Sequence, residues 1–177
     1  MSAATPLLVD GLPALDTVSF DARLPFLAQP LQGDYPPRQQ RETRLALRVL
    51  AAPPQTPEDS NPVLLRLEAK LDLALEVSLL ERHPDRPAVE PCRLGLNAVA
   101  WRDGQAWQPG QRLLLLLHPN PDSALSLCLY GIVASSQPAG GGQHLLTADI
   151  HQSFDEDTHL LWEKWVFRRH RRAILER

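Results

Sequence analysis

Apolar positions along the chain change period twice. Between Arg38 and His83 they recur with helical spacing, from Cys92 to Phe154 they alternate in short runs, and beyond Asp155 the helical spacing returns. The stretch RQQRETRLALRVLAA (Arg38–Ala52) predicts a first helix. Leu45, Val49 and Ala52 fall at i, i+4 and i+7, Leu47 and Leu50 widen the stripe, and Pro53-Pro54 stop it. A second helix follows the loop PPQTPEDS. Ser60 or Asn61 can cap it, Pro62 suits its first turn, and VLLRLEAKLDLALEVSLLERH runs to the residue before Pro84. At ~1.5 Å per residue it is a rod of roughly 30 Å. Leu64, Leu67, Leu71, Ala74 and Ser78 keep heptad spacing, while Leu65, Ala69, Leu73, Val77 and Leu80 form a second stripe. One stripe is expected to pack on the first helix. The other then needs a partner that a lone hairpin cannot supply.

The alternating region reads as strands separated by turn signals: CRLGLNAVAW (92–101), QRLLLLLHP (111–119), ALSLCLYGIVAS (124–135) with a bend at Gly131, and QHLLTADIHQSF (143–154). Strands so spaced predict an antiparallel sheet or barrel. The last segment, DEDTHLLWEKWVFRRHRRAILER, predicts a helix. Asp155, Glu156 and Asp157 lie at its positive end, Arg168, Arg169, Arg171 and Arg172 near its negative end, and Leu161, Trp162 and Trp165 supply a bulky face for the barrel. Residues 1–37 lack periodicity and carry six prolines, so they read as an extended arm with one short strand near Leu15–Phe20.

Composition adds little direction. Net charge is −3, which gives no global pull toward nucleic acid or membrane. The 17 prolines punctuate apolar segments rather than interrupt them. Cys92 and Cys128 are too few for a disulfide framework and are expected as free core thiols. The start MSAATPLLVDGLPALD has no basic region followed by an apolar one, and no segment is long and apolar enough to span a bilayer, so a reducing cytoplasm is the expected compartment.

The inventory of reactive groups points away from catalysis. No GK[ST], GxGxxG, GxSxG or HExxH pattern occurs. Gly140-Gly141-Gly142 reads as a hairpin turn. Asp149 and His151 share one face of a strand, but a metal there would need further ligands. The tract RRHRR (168–172) reads first as a solvated helix end, with contact to nucleic acid or acidic lipid as the other reading. No catalytic residue, metal or resident cofactor is expected.

From residue 92 onward the order of elements resembles the PilZ domain: CRLGLNAVAW, PGQRLLLLL, LSLCLYGIVAS, LLTADIHQSF and the helix DTHLLWEKWVFRRHRR occupy the family's successive strands and terminal helix. The helix pair before it and the ending WVFRRHRR are similar to the atypical branch, in which heptad-bearing helices assemble the domain into a tetramer. The resemblance implies a bacterial protein of cyclic di-GMP signalling. It also implies two ligand motifs, RxxxR before the first barrel strand and [D/N]xSxxG at a strand start, where arginine forks grip phosphates and a small residue admits the ligand. Here Arg93, Gly95 and Ala98 stand at the D/N, S and G positions. Arg44 and Arg48 match RxxxR within the first helix, and Arg82 and Arg86 match it by letter.

The expectation is an α+β protein: an arm (1–37), a helical hairpin for oligomerisation (38–83), and a small antiparallel PilZ-like barrel with a C-terminal helix (84–177). Its function is that of a non-catalytic oligomeric adaptor with degenerate ligand motifs. Copies meet through Leu64, Leu67, Leu71, Ala74 and Ser78 as a tetramer, and the barrel engages a further protein, without nucleic acid or membrane insertion. The alternative is a true cyclic di-GMP receptor using Arg44, Arg48 and Arg93.

Overall fold

The computed structural model describes residues 11–53, 56–57, 59–82, 84–120 and 122–176. The expectations for the start of the chain and for His83 lie outside the described residues. The elements are β1 (Ser19–Pro30), α1 (Pro37–Ala51), α2 (Pro62–Arg82), β2 (Val89–Gly95), β3 (Ala98–Asp103), β4 (Arg112–Leu117), β5 (Leu127–Gly140), β6 (Gln143–Asp149), a 3-10 turn at His151–Ser153, and α3 (Glu156–Leu175). The six strands close an antiparallel barrel in the order β1-β2-β3-β6-β5-β4. The α+β class and the barrel read from the sequence are therefore what forms.

The short strand expected near Leu15–Phe20 lies instead at Ser19–Pro30, so the second half of the extended arm is the strand that closes the barrel: β1 pairs with β2 from Ser19 to Pro25 and with β4 from Phe26 to Pro30. The residues pointing inward, Phe20, Ala22, Leu24, Phe26 and Ala28, alternate as a strand should. Pro25 stands where the strand changes partners and Pro30 at its end, two places where a missing N–H costs little. Those prolines hid the alternation. The predicted strand 92–101 is likewise two strands, turned at Leu96–Asn97. β5 begins at Leu127 and runs on to Gly140. The hairpin turn is then Gly141-Gly142, with φ of 59° and 74°, a conformation that suits glycine in a two-residue loop. Of the predicted strand 143–154, only Gln143–Asp149 is strand.

Barrel closure explains the core. Leu94, Val99, Leu113, Leu115, Leu129 and Leu146 point inward and are fully buried. Gly131 also points inward, one residue before β5 begins to pair with β6. A Cβ there would meet Leu115 Cδ1 at 3.1 Å and Ala148 Cβ at 3.3 Å, so any larger residue needs its neighbours to shift by a few tenths of an ångström. Near its start β5 has an edge that β6 does not reach, and the hydroxyls of Thr43 and Ser153, with that of Tyr35 also donating to the Cys128 carbonyl, satisfy it. Thr43 Oγ1 donates to the Cys128 carbonyl (2.9 Å) and accepts from its N–H (3.0 Å). Ser153 Oγ does the same for Tyr130 at 2.8 Å in both directions. This is how α1 and the 3-10 turn are fastened to the barrel.

The helix α3 lies against α1 and β1 and buries Thr158, Trp162, Trp165 and Val166, its i, i+4, i+7 and i+8 positions. Trp165 meets Phe20 edge-on at 5.4 Å, and Trp162 stacks on Phe154 at 5.3 Å. The Trp162 indole N–H donates to the carbonyls of Gly95 and Leu96, 3.1 Å each. Trp162→Phe keeps the apolar contact but orphans those carbonyls. It should lower stability by ~1–2 kcal/mol in urea denaturation; an unchanged midpoint would mean water replaces the donor.

Candidate functional site

α2 is the anomaly of this fold. Asn61 starts it, its Oδ1 accepting from the Val63 N–H at 2.9 Å as an N-cap does. Apolar residues then occupy every face of the helix, yet none of its residues is buried. Leu64, Leu67, Leu71 and Leu73 are 57%, 51%, 61% and 66% exposed, and Val77 and Leu80 are exposed as well. The expectation that one stripe packs along α1 is overturned. Among the described residues the loop residue Thr56 donates to Glu68 near the start of the helix, and the last turns approach α1 and the connection before β5. Leu75 and Leu79 line a narrow groove with Leu45, Ala46 and Val49 of α1, and Glu76 accepts from the Ser123 hydroxyl (2.7 Å) and from the Ala124 N–H. An apolar-all-round helix is stable in water only when something covers it.

The arginines fall into different places. Arg44 and Arg48 lie one turn apart on α1. Arg44 sits 3.5 Å from Asp155 and Arg48 is exposed. Asp155 is the N-cap of α3, accepting from the Thr158 N–H at 2.8 Å, and the hydrogen bonds of Thr158 hold its carboxyl below the usual range, with Arg44 adding to the shift.

Arg93 stands elsewhere, on the outer face of β2, opposite Asp21 of β1. It is 1% exposed. Its Nε and Nη2 reach the two Asp21 carboxylate oxygens at 2.6 and 2.9 Å, and its Nη1 donates to the carbonyls of Leu12 (2.9 Å) and Pro13 (2.7 Å). A guanidinium so enclosed clamps the segment at Leu12 and Pro13 to β2, and its donors toward Asp21, Leu12 and Pro13 are taken up within the chain. The same segment occupies the neighbouring ground. A Cβ on Gly95 would lie 2.9 Å from Leu15 Cδ1 and 3.1 Å from Thr17 Oγ1, and Thr17 Oγ1 accepts from the Leu96 N–H at 3.2 Å.

The remaining reactive groups are quiet. Burial pushes the Cys92 and Cys128 thiols up to about 12, with Asp21 and Glu42 respectively adding to the effect. A thiol with so little thiolate is a poor nucleophile. Because the folded value lies above the ordinary one near 9, these thiols favour the folded state below that pH and withdraw the benefit as pH rises from about 9 to 12. We expect the urea midpoint to fall across that range, less steeply in Cys92→Val, and thiol reagents to react slowly at pH 8. Asp149 Oδ1 accepts from the His151 N–H at 2.9 Å, so that pair closes the end of β6. Among the described residues no three His, Cys, Asp or Glu side chains are placed to hold a metal, and no helix is long and apolar enough to cross a membrane.

No protein-family model matches the chain, and no curated protein matches it. Among solved structures, one from Xanthomonas campestris superposes with a TM-score of 0.73 at 26% identity, covering 92% of this chain and 90% of that one. It is described as a tetrameric PilZ domain self-assembled via an unusual helical bundle. The chain folds as a PilZ domain. The resemblance read from the order of strands and helices, including the added helix pair, is borne out. The Bacillus subtilis inhibitor of motility MotI/DgrA also superposes, over 94% of this chain and 54% of that one, at 14% identity and a TM-score of 0.45, too loosely to carry an argument.

Seen on the PilZ barrel, the positions Arg93 and Gly95 of the second ligand motif lie beneath the chain's own N-terminal segment. The pattern of the chain does not mark Asp21, Thr43 or Ser153 as binding groups, and it offers Arg168 only as part of the basic tract 168–172, not as a partner of α1. Arg168 donates to the carbonyls of Leu50, Ala51 and Ala52 and so closes the end of α1. No local pattern announces such partners, because each lies tens of residues away along the chain.

Proposed function

We propose that the protein is a non-catalytic adaptor of bacterial cyclic di-GMP signalling, working in the cytoplasm as a homotetramer assembled through α2. The observation that carries this is the uncovered α2 surface. Leu64, Leu67, Leu71, Ala74 and Ser78 would form the seam, with the half-buried Ser78 where the helix meets the barrel. The similarity to a PilZ domain that assembles by a helical bundle supports the same use of the helix. The barrel then presents several copies of one face to a protein partner, with no resident cofactor, no nucleic acid and no membrane insertion. Light scattering on the eluting protein at micromolar concentration should give four protomer masses; a monomer at that concentration would overturn the reading.

A second reading makes the protein a cyclic di-GMP receptor through Arg44 and Arg48. It is favoured by their placement one turn apart on α1 with Arg48 exposed. Calorimetry with the dinucleotide decides between them: no heat and no thermal shift at millimolar ligand rejects the receptor, and binding lost in both Arg44→Ala and Arg48→Ala supports it.

A further inference from the structure

We infer that the cleft between the second half of α3 and β1 binds a soluble organic phosphate. The cleft has a volume of about 640 Å³, within the range of small-molecule sites. Arg23 from β1 and Arg168, Arg169 and Arg172 from α3 line it, and Leu50 and Trp165 give it an apolar wall. A chain of net charge −3 thus gathers four arginines around one concavity. The one carboxylate in the wall, Asp21, already holds the Arg93 guanidinium with both oxygens. The basic tract is divided by the helix: 168, 169 and 172 fall on the cleft side at i, i+1 and i+4, while Arg171 is exposed and outside it.

Two of these guanidiniums are held in position before any ligand arrives. Arg168 is pinned by three carbonyls at the end of α1, and Arg169 lies over the Phe20 ring at 5.4 Å. Arg169 is half-buried, and burial and the charge of Arg172 lower its proton affinity, Glu176 working against them. Crowded positive charge of this kind is relieved by an anion placed between the groups. Glu176 relieves it little, because its contact with Arg172 (3.3 Å) is exposed at both ends. Several guanidiniums lining one cleft match a phosphate better than a carboxylate, since a phosphate offers three acceptor oxygens and up to two charges. The wall of Leu50 and Trp165 suits the organic remainder of such a ligand. No α2 residue lines the cleft, so the site stands or falls separately from the assembly proposed above.

The test is a titration of the full chain with inorganic pyrophosphate at low salt, followed by tryptophan fluorescence and calorimetry. Saturable binding is expected. Arg23→Gln and Arg172→Gln, both at exposed positions, should weaken it by at least ~10-fold each without changing the melting temperature. Arg171→Gln, which makes the same charge change outside the cleft, should leave it within ~2-fold. The inference is overturned if no saturable signal appears up to about 10 mM, or if all three variants weaken binding alike. It is equally overturned if phosphatidylglycerol vesicles are bound and pyrophosphate is not.

Discussion

Replacing Leu67 and Leu71 together with glutamate is expected to reduce the particle to a single protomer and leave the barrel folded. The two effects separate because α2 contributes so little to the monomer. Neither leucine is buried there, so the substitutions should change protomer stability by no more than ~0.5 kcal/mol per site. In a helical bundle each leucine would contribute about 1.5–3 kcal/mol on burial, and every copy would lose two of them. Each would also be replaced by a carboxylate that cannot be desolvated without a partner. Light scattering should register the loss of mass and circular dichroism the retained fold. The parent's melting temperature should rise with protein concentration, and the variant's should not. If the variant unfolds instead, the two leucines belong to the protomer core and the assembly role of α2 falls.

Arg93→Met is expected to be among the most destabilising single changes outside the barrel interior. It removes the partner of a carboxylate and leaves the Leu12 and Pro13 carbonyls without their donor in a covered place. Breaking a buried ion pair costs about 3–5 kcal/mol. The Asp21 side chain is 29% exposed, so the loss should lie near the lower end, about 3 kcal/mol in urea denaturation. Adding Asp21→Asn should recover roughly 1 kcal/mol, because an amide is easier to leave unpaired than a charge. The segment 11–17 should become an early site of limited proteolysis in the single variant. A change below ~0.5 kcal/mol with an intact arm would return Arg93 to the candidates for ligand contact.

α2 and Arg93 mark what local sequence pattern carries and what it does not. The heptad positions of α2 were legible because a helix sets its faces locally, at fixed spacing. That the helix is left uncovered was not legible, because it depends on where α1 and the β4–β5 connection lie. Arg93 was noticed for its place in a ligand motif. Its partner, Asp21, is 72 residues away and meets it only through the antiparallel register of β1 and β2.

By itself the sequence determined the periodic elements: three helices, a run of alternating strands, the glycine hairpin turn and the aromatic face of α3. Each follows from side-chain spacing and backbone preference over a few residues. Tertiary structure alone decided that the proline-rich residues 19–30 are the closing strand, since a staggered strand shared between β2 and β4 tolerates proline where it changes partners. It also decided that α2 is exposed, that Arg93 clamps the arm, and that three arginines of one basic tract line a cleft with Arg23 while a fourth does not. Burial, pairing and the lining of a cleft depend on positions distant in sequence. They are settled when the barrel closes, and no local pattern encodes them.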